Sequence, residues 1–155
     1  MTGVLEQGFI FCIMALGVYI TFKILNFPDL TVDGTFPLGA SVTAVLLLKD
    51  VNPWLACITS VLAGMIGGLI TGVLHVKFKI SNLLSGILVM LALYSVNLRI
   101  MGKANTPFFN ERTVFSTNMP SLLVVAVLGF FIKFLLDILF KTKFGFILRA
   151  TGDNP

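Results

Sequence analysis

Five apolar runs alternate with short polar stretches along the chain: Gly8 to Leu25, Thr35 to Leu48, Trp54 to Leu74, Ile80 to Leu98 and Leu122 to Phe140. A helix needs about 20 apolar residues to cross a bilayer. Four of the runs meet that requirement, and the pattern predicts an all-α, polytopic membrane protein. Thr35 to Leu48 is too short to cross unless the preceding NFPDLTVDG also lies at membrane depth. Lys23 sits where its ammonium can snorkel to the interface, and Trp54 opens the third run as an interfacial aromatic. The KFK at 77–79 leaves room only for a tight turn. The longest polar stretch, GKANTPFFNERTVFSTNMP, is loop-sized, so no soluble domain is expected. The opening MTGVLEQ lacks the positive n-region of a cleaved signal.

The segment Asn26 to Gly39, NFPDLTVDGTFPLG, interrupts this pattern. Pro28 and Pro37 lack amide hydrogens and disfavour helix at the residue before them. Asp33-Gly34 is turn chemistry. Two interruptions are therefore expected around Asp29, Thr31 and Asp33. Irregular backbone at membrane depth is tolerated only where it is buried in protein or lines a watery cavity. One reading is a discontinuous transporter helix, with a half-helix from about Thr35 offering free amides and a positive dipole end. Asp29 and Asp33 would then face an ammonium or stabilise the break. The other reading is an interfacial loop whose aspartates cap the next helix.

Composition agrees with the pattern: 57% of residues are hydrophobic and 12% charged, with a mean hydropathy of +1.00. A soluble domain carries about 25% charged residues. The net charge of +4 sits in small groups at the ends of apolar runs, which speaks for topology signals rather than nucleic acid. Lys141, Lys143 and Arg149 place the end of the last run in the cytoplasm, and alternation brings Lys77 and Lys79 there. The N-terminus, whose one charged side chain is Glu6, is then outside, with Arg99, Lys103 and Arg112 on the same outer side.

In the third run Ala56, Ser60, Gly64, Gly68 and Gly72 recur every fourth residue and predict a ridge of small side chains. Such a ridge is either a static packing seam or a surface along which a helix rocks during transport. Lys133 and Asp137 stand at i and i+4, as a mutually neutralising snorkelling pair or a proton relay. Cys12 and Cys57 lie in apolar runs without metal or disulfide spacing, and no metal is expected. His75, the single histidine, flanks the basic turn and reads as interfacial. A CDP-alcohol phosphotransferase would need DGxxAR, but Asp33-Gly34 continues as Thr35-Phe36-Pro37-Leu38. An intramembrane aspartyl protease would need carboxylates on facing helices, whereas Asp29 and Asp33 share one break. No GxxxxGK[ST] loop is present to cradle phosphates.

Three ordered stretches carry a family resemblance: LGVYITFKILNFPDLTVDGTFPLGASV, LLSGILVMLALYSVNLRIMGKAN and KTKFGFILRATGDNP. Together they resemble permease subunits of bacterial ABC importers of the branched-chain amino acid and ribose type, and most narrowly the branch with proposed tryptophan or tyrosine uptake. The resemblance implies a non-enzymatic permease of the bacterial cell membrane that works by alternating access. It implies a separate ATPase subunit that binds the ATP, a substrate-binding lipoprotein and a second permease copy, with no cofactor in this chain. It places Asn26 to Gly39 on the translocation pathway. It makes Gly145, Arg149, Gly152, Asp153, Asn154 and Pro155 coupling residues, in a cytoplasmic loop that starts near Lys141 and contains a short helix docked on the ATPase. Family members continue beyond this loop, so residues 1–155 are expected to be the N-terminal portion of one permease domain. Two other classes fit the residues: an ion-coupled carrier using Asp29, Asp33 and Asp137, and a non-transporting assembly subunit.

Overall fold

A computed structural model describes residues 2–103, 113 and 120–153. Asn154, Pro155 and Arg112 lie outside the described residues. Among the described residues six α-helices follow one another: α1 (Thr2–Tyr19), α2 (Val32–Leu47), α3 (Pro53–Val76), α4 (Asn82–Met101), α5 (Ser121–Lys141) and α6 (Lys143–Asp153). No strand occurs among the described residues. A π-helical turn over Ile20–Ile24 prolongs α1, and the stretches Gly3–Ile24, Pro53–Val76, Asn82–Met101 and Ser121–Lys141 are each long and apolar enough to cross a membrane. The 16 residues of α2 rise about 24 Å, short of the roughly 30 Å hydrocarbon core.

Local chemistry accounts for the ends of these helices. Pro53 opens α3 at a position where its missing amide is harmless, and the Asn52 side chain caps the same end by accepting from the Trp54 amide at 3.0 Å. After α1, α2, α3 and α4 the chain turns through a left-handed residue: Asn26, Asp50, Lys79 and Gly102, with φ of 50°, 56°, 54° and 64°. At the α3–α4 turn the Ile80 carbonyl accepts from Nδ1 of His75 at 2.8 Å. A carbonyl can only accept, so the bond fixes the proton on that nitrogen and ties His75 to the turn it was expected to flank.

The chain divides into two compact units, Met1–Pro28 with Thr117–Pro155, and Asp29–Ser116. In the first, α1 and α5 run parallel. The Ser121 hydroxyl donates to Glu6 Oε1 at 2.5 Å near their starts, Ile13 packs beside Gly129 midway, and Leu16 to Ile24 lie beside Lys133 to Phe140 at their ends. Helix α6 then folds back on this pair. Gly145 lies against the backbone of Leu139 and Phe140, and Gly152 against that of Ile24 and Leu25, so closely that neither site has room for a Cβ. These glycines stand seven residues apart, two helical turns, and so share one face of α6.

In the second unit α2 lies between α3 and α4, antiparallel to α3 and parallel to α4. Thr31, Thr35 and Gly39 meet Thr71, Gly67 and Ser60, while Leu30, Gly34 and Ser41 meet Gly86, Met90 and Asn97. Its interior is small and polar: Thr31, Ser41, Thr71, Ser85 and Asn97 are buried beside a modest apolar cluster of Leu38, Val89 and Leu93. Large apolar side chains such as Leu69, Met65 and Leu91 point outward. That inversion suits a lipid solvent, in which helices associate through close approach and hydrogen bonds rather than by hiding leucines from water.

Within this chain the small-residue ridge is only partly in contact. Ala56 is buried, and Ser60 lies in van der Waals range of a Cβ at Gly39, yet a Cβ at Gly64, Gly68 or Gly72 would meet nothing within 4 Å. A step of four residues overshoots a turn by about 40°, so five such positions fan across about 160° of the helix surface. The face α3 turns to its neighbours mixes steps of three and four, through Ala56, Ser60, Ala63, Gly67 and Thr71. Gly67 is the close-contact glycine: a Cβ there would stand 2.6 Å from Cγ2 of Thr35.

Candidate functional site

The break begins where the π-helical turn ends. Leu25 N–H bonds to the Ile20 carbonyl at 3.0 Å, Phe27 N–H to that of Thr21 at 2.9 Å, and the left-handed Asn26 redirects the chain. Irregular backbone follows through Pro28 to Leu30. Asp29 then closes the gap: its Oδ1 accepts from the Thr31 amide at 2.8 Å, the turn by which an aspartate holds the backbone two residues on, just before the helix start. Thr31 itself is buried, with 1% exposure, and its hydroxyl pairs with that of Thr71 at 2.7 Å. Behind the break, the first turn of α4 is cut away at Gly86, where a Cβ would lie 2.9 Å from Leu30 N and 3.3 Å from Asp29 Oδ1. Of the irregular segment, Thr31 is buried, Asp29 half-buried and Leu30 exposed, so the break packs against Gly86 and Thr71 on one side.

One interruption is present where two were expected. The half-helix starts at Val32 rather than near Thr35, so Asp33 and Gly34 lie in its first turn and Pro37 lies inside it. The Asp33 and Gly34 amides bond to the carbonyls of Leu30 and Thr31 at 3.3 and 2.9 Å. Together with the Asp29 turn these bonds occupy the helix start with the chain's own groups. The amides of Thr31, Asp33, Gly34 and Thr35 are thus bonded within the chain. Pro37 is accommodated because it forfeits a single hydrogen bond, the one to the Asp33 carbonyl. Asn97 on α4 compensates across this weak point: its Nδ2 donates to the Gly34 carbonyl at 3.3 Å and its Oδ1 accepts from Ser41 Oγ at 3.5 Å, one bond on each side of the proline.

Beside the break, α2 and α4 enclose a cavity of about 380 Å³ lined by Asp33, Gly34, Pro37, Met90, Tyr94 and Asn97 among others. Asp33 and Asn97 supply carboxylate and carboxamide groups; Tyr94 adds an aromatic ring; the remaining wall is mainly apolar. Unlike Asp29, Asp33 makes no side-chain hydrogen bond or ion pair among the described residues. The two aspartates, alike in the sequence, thus differ in role: one holds the backbone and the other faces the cavity. Gly39 faces Ser60 farther along α2, away from the cavity lining.

The remaining sequence-derived positions lie elsewhere. Lys133 Nζ and Asp137 Oδ2 form an ion pair at 2.9 Å with both side chains more than half exposed, as the neutralising-pair reading has it. Gly145, Arg149, Gly152 and Asp153 lie on α6. Tyr94, Asn97, Thr71, Gly67 and Gly86 escaped sequence reasoning. Asn97 alone left a signal, as a lone carboxamide within an apolar run, where burial requires partners.

A half-helix preceded by a break and packed between two full spans, beside a partly polar cavity, defines a multi-pass membrane protein built around an irregular segment. The chain belongs to the family described as branched-chain amino acid transport system, permease component, which it matches over residues 1–155. A tyrosine transport system permease protein of Clostridioides difficile (strain R20291) is 50% identical over 152 residues, 98% of this chain and 52% of that protein. An uncharacterized protein of Rickettsia prowazekii (strain Madrid E) is 39% identical over 152 residues, 97% of this chain and 54% of that protein. The chain spans about half the length of these curated relatives. No solved structure matches it.

Proposed function

We propose that this chain forms part of the permease subunit of an ATP-driven importer of amino acids of the aromatic or branched-chain type, in a bacterial cell membrane. The observation that carries the reading is the break packed on Gly86, with Asp33 turned into the cavity beside it. A carboxylate, a carboxamide and an aromatic ring in an otherwise apolar cavity suit a solute with an ammonium group and an apolar side chain. The family, and a relative named for tyrosine transport, support the same class. ATP is hydrolysed by a separate subunit that docks on the region of α6. A substrate-binding lipoprotein delivers the solute, and a second permease copy completes the pathway.

Helix directions support α2 as a membrane crossing. Because α1 and α5 are parallel, an odd number of crossings separates them, and α2 with its irregular lead-in supplies the third beside α3 and α4. The basic residues at 77–79 and 141–149 mark the end of α3 and the end of α5 as cytoplasmic. The full-length protein, with Cys12 and Cys57 replaced, tests this directly. Single cysteines at Lys79 and Lys143 should resist an impermeant thiol reagent in intact cells, and one at Thr113 should react. Labelling of position 143 from outside would contradict the orientation.

The ion-coupled carrier loses two of its three carboxylates to structural partners, Asp29 to the Thr31 amide and Asp137 to Lys133. Uptake of labelled tyrosine into proteoliposomes holding the full-length permease, its ATPase and its binding protein separates the two. The importer requires ATP and ignores protonophores; dependence on the proton gradient without ATP points to the carrier.

A further inference from the structure

A second cavity, of about 450 Å³, lies within the first unit, at the end of the parallel α1–α5 pair where α6 folds back. Its walls carry three cationic side chains, Lys23, Lys133 and Arg149, and one carboxylate, Asp137. Only Lys133 is neutralised, through its pair with Asp137. Lys23 has no carboxylate partner among the described residues, and Arg149 stacks over the Phe140 ring at 5.5 Å, an arrangement that holds the guanidinium in place without cancelling its charge. The π-helical turn matters here, because widening one turn of α1 resets the direction of the residues within it, Lys23 included, and such turns recur at functional sites. Below the cations the wall is apolar, formed by Leu16, Ile20, Ile24 and Leu136. Beyond the cavity, α6 exposes Phe144, Phe146 and Ile147, the composition of a helix lying in the membrane interface.

We propose that this cavity binds an anionic phospholipid, its phosphodiester held by Lys23 and Arg149 and the upper part of an acyl chain against the Leu16–Ile20–Leu136 wall. An excess of cations at the level where two spanning helices end, above an apolar wall open to lipid, matches the two-part chemistry of such a molecule. A soluble phosphate would use the cations and leave the wall idle. Because Gly152 packs on the π-turn end at Ile24–Leu25, the same lipid would also bridge α6 to the spanning pair. This site is separate from the α2–α4 cavity and does not depend on the identity of the transported solute.

The test uses the full-length permease in nanodiscs of phosphatidylcholine with or without phosphatidylglycerol, reading retained phosphatidylglycerol by native mass spectrometry and the thermal unfolding midpoint. Wild type should retain phosphatidylglycerol and gain thermal stability from it. Each basic residue facing an anionic headgroup is worth roughly fivefold in affinity, so Lys23→Gln and Arg149→Gln should each weaken retention by about that factor. Lys23→Arg should restore it. Asp137→Asn, which releases Lys133 from its partner, should strengthen retention. Equal retention of the two lipids, glutamine variants that bind like wild type, or an equal gain in midpoint from inorganic phosphate in phosphatidylcholine alone would each overturn the lipid assignment.

Discussion

Gly67→Leu is expected to abolish assembly of the full-length protein, while Gly68→Leu, one residue along, leaves the fold of this region close to wild type. A Cβ at Gly67 would already stand 2.6 Å from Thr35 Cγ2 and 3.3 Å from Leu93 Cδ1. Thr35 is β-branched and sits in α2, so its side chain has little freedom to withdraw. Leucine adds three more carbons to a seam where α2, α3 and α4 meet. Overpacking a well-filled core typically costs 1 to about 3 kcal/mol, and here the strain falls on helices held mainly by close approach. A Cβ at Gly68 meets nothing within 4 Å. Membrane-fraction yield and the monodisperse fraction in detergent read the difference, and equal behaviour of the two variants would sink the packing assignment.

Asn97→Leu is the second large effect expected. Asn97 is buried and joins Gly34 to Ser41 across Pro37. Leucine keeps a similar bulk but removes the bond to the Gly34 carbonyl and leaves α2 without its cross-link where the proline has removed a backbone bond, while the Ser41 hydroxyl keeps the Leu38 carbonyl at 2.9 Å. A lost hydrogen bond costs about 0.5 to 1.5 kcal/mol. The thermal midpoint should fall clearly for Asn97→Leu and much less for Asn97→Gln, which keeps both functions on a longer arm. Ser41→Ala, deleting one bond while leaving the Gly34 link, should fall between wild type and Asn97→Leu. An Asn97→Leu protein that melts with wild type would show that the carboxamide does not brace the half-helix.

The spans were legible because twenty-residue apolar runs have few alternatives, and the short α2 was legible as an anomaly of length. The break was visible in Pro28 and the paired aspartates, but its register was not. Pro37 reads as a helix stop in sequence, whereas a single forfeited bond is tolerable once Asn97 braces both sides. The two aspartates could not be told apart in sequence, since the turn made by Asp29 depends on where the Thr31 amide points. Only part of the ridge on α3 meets α2, because a strict period of four lies close to 3.6 over two steps and departs from it over four. Gly67, one residue off the ridge, carried the contact. The cavity residues Tyr94 and Asn97 lie more than fifty positions from the break, a juxtaposition only the parallel packing of α2 and α4 supplies.

The proposed pathway role of Asp33, set against the backbone role of Asp29, is measured most directly by transport per correctly assembled complex. Asparagine makes the same turn as aspartate, so Asp29→Asn should keep both assembly and uptake, and Asp29→Leu should lose assembly. Asp33→Asn removes a charge from the cavity with little change in size. Assembly and ATPase association should persist, and tyrosine uptake should fall by tenfold or more, about 1.4 kcal/mol or greater. Uptake by Asp33→Asn equal to that of Asp29→Asn, normalised to assembled complex, would contradict the account and leave the broken helix a structural feature alone.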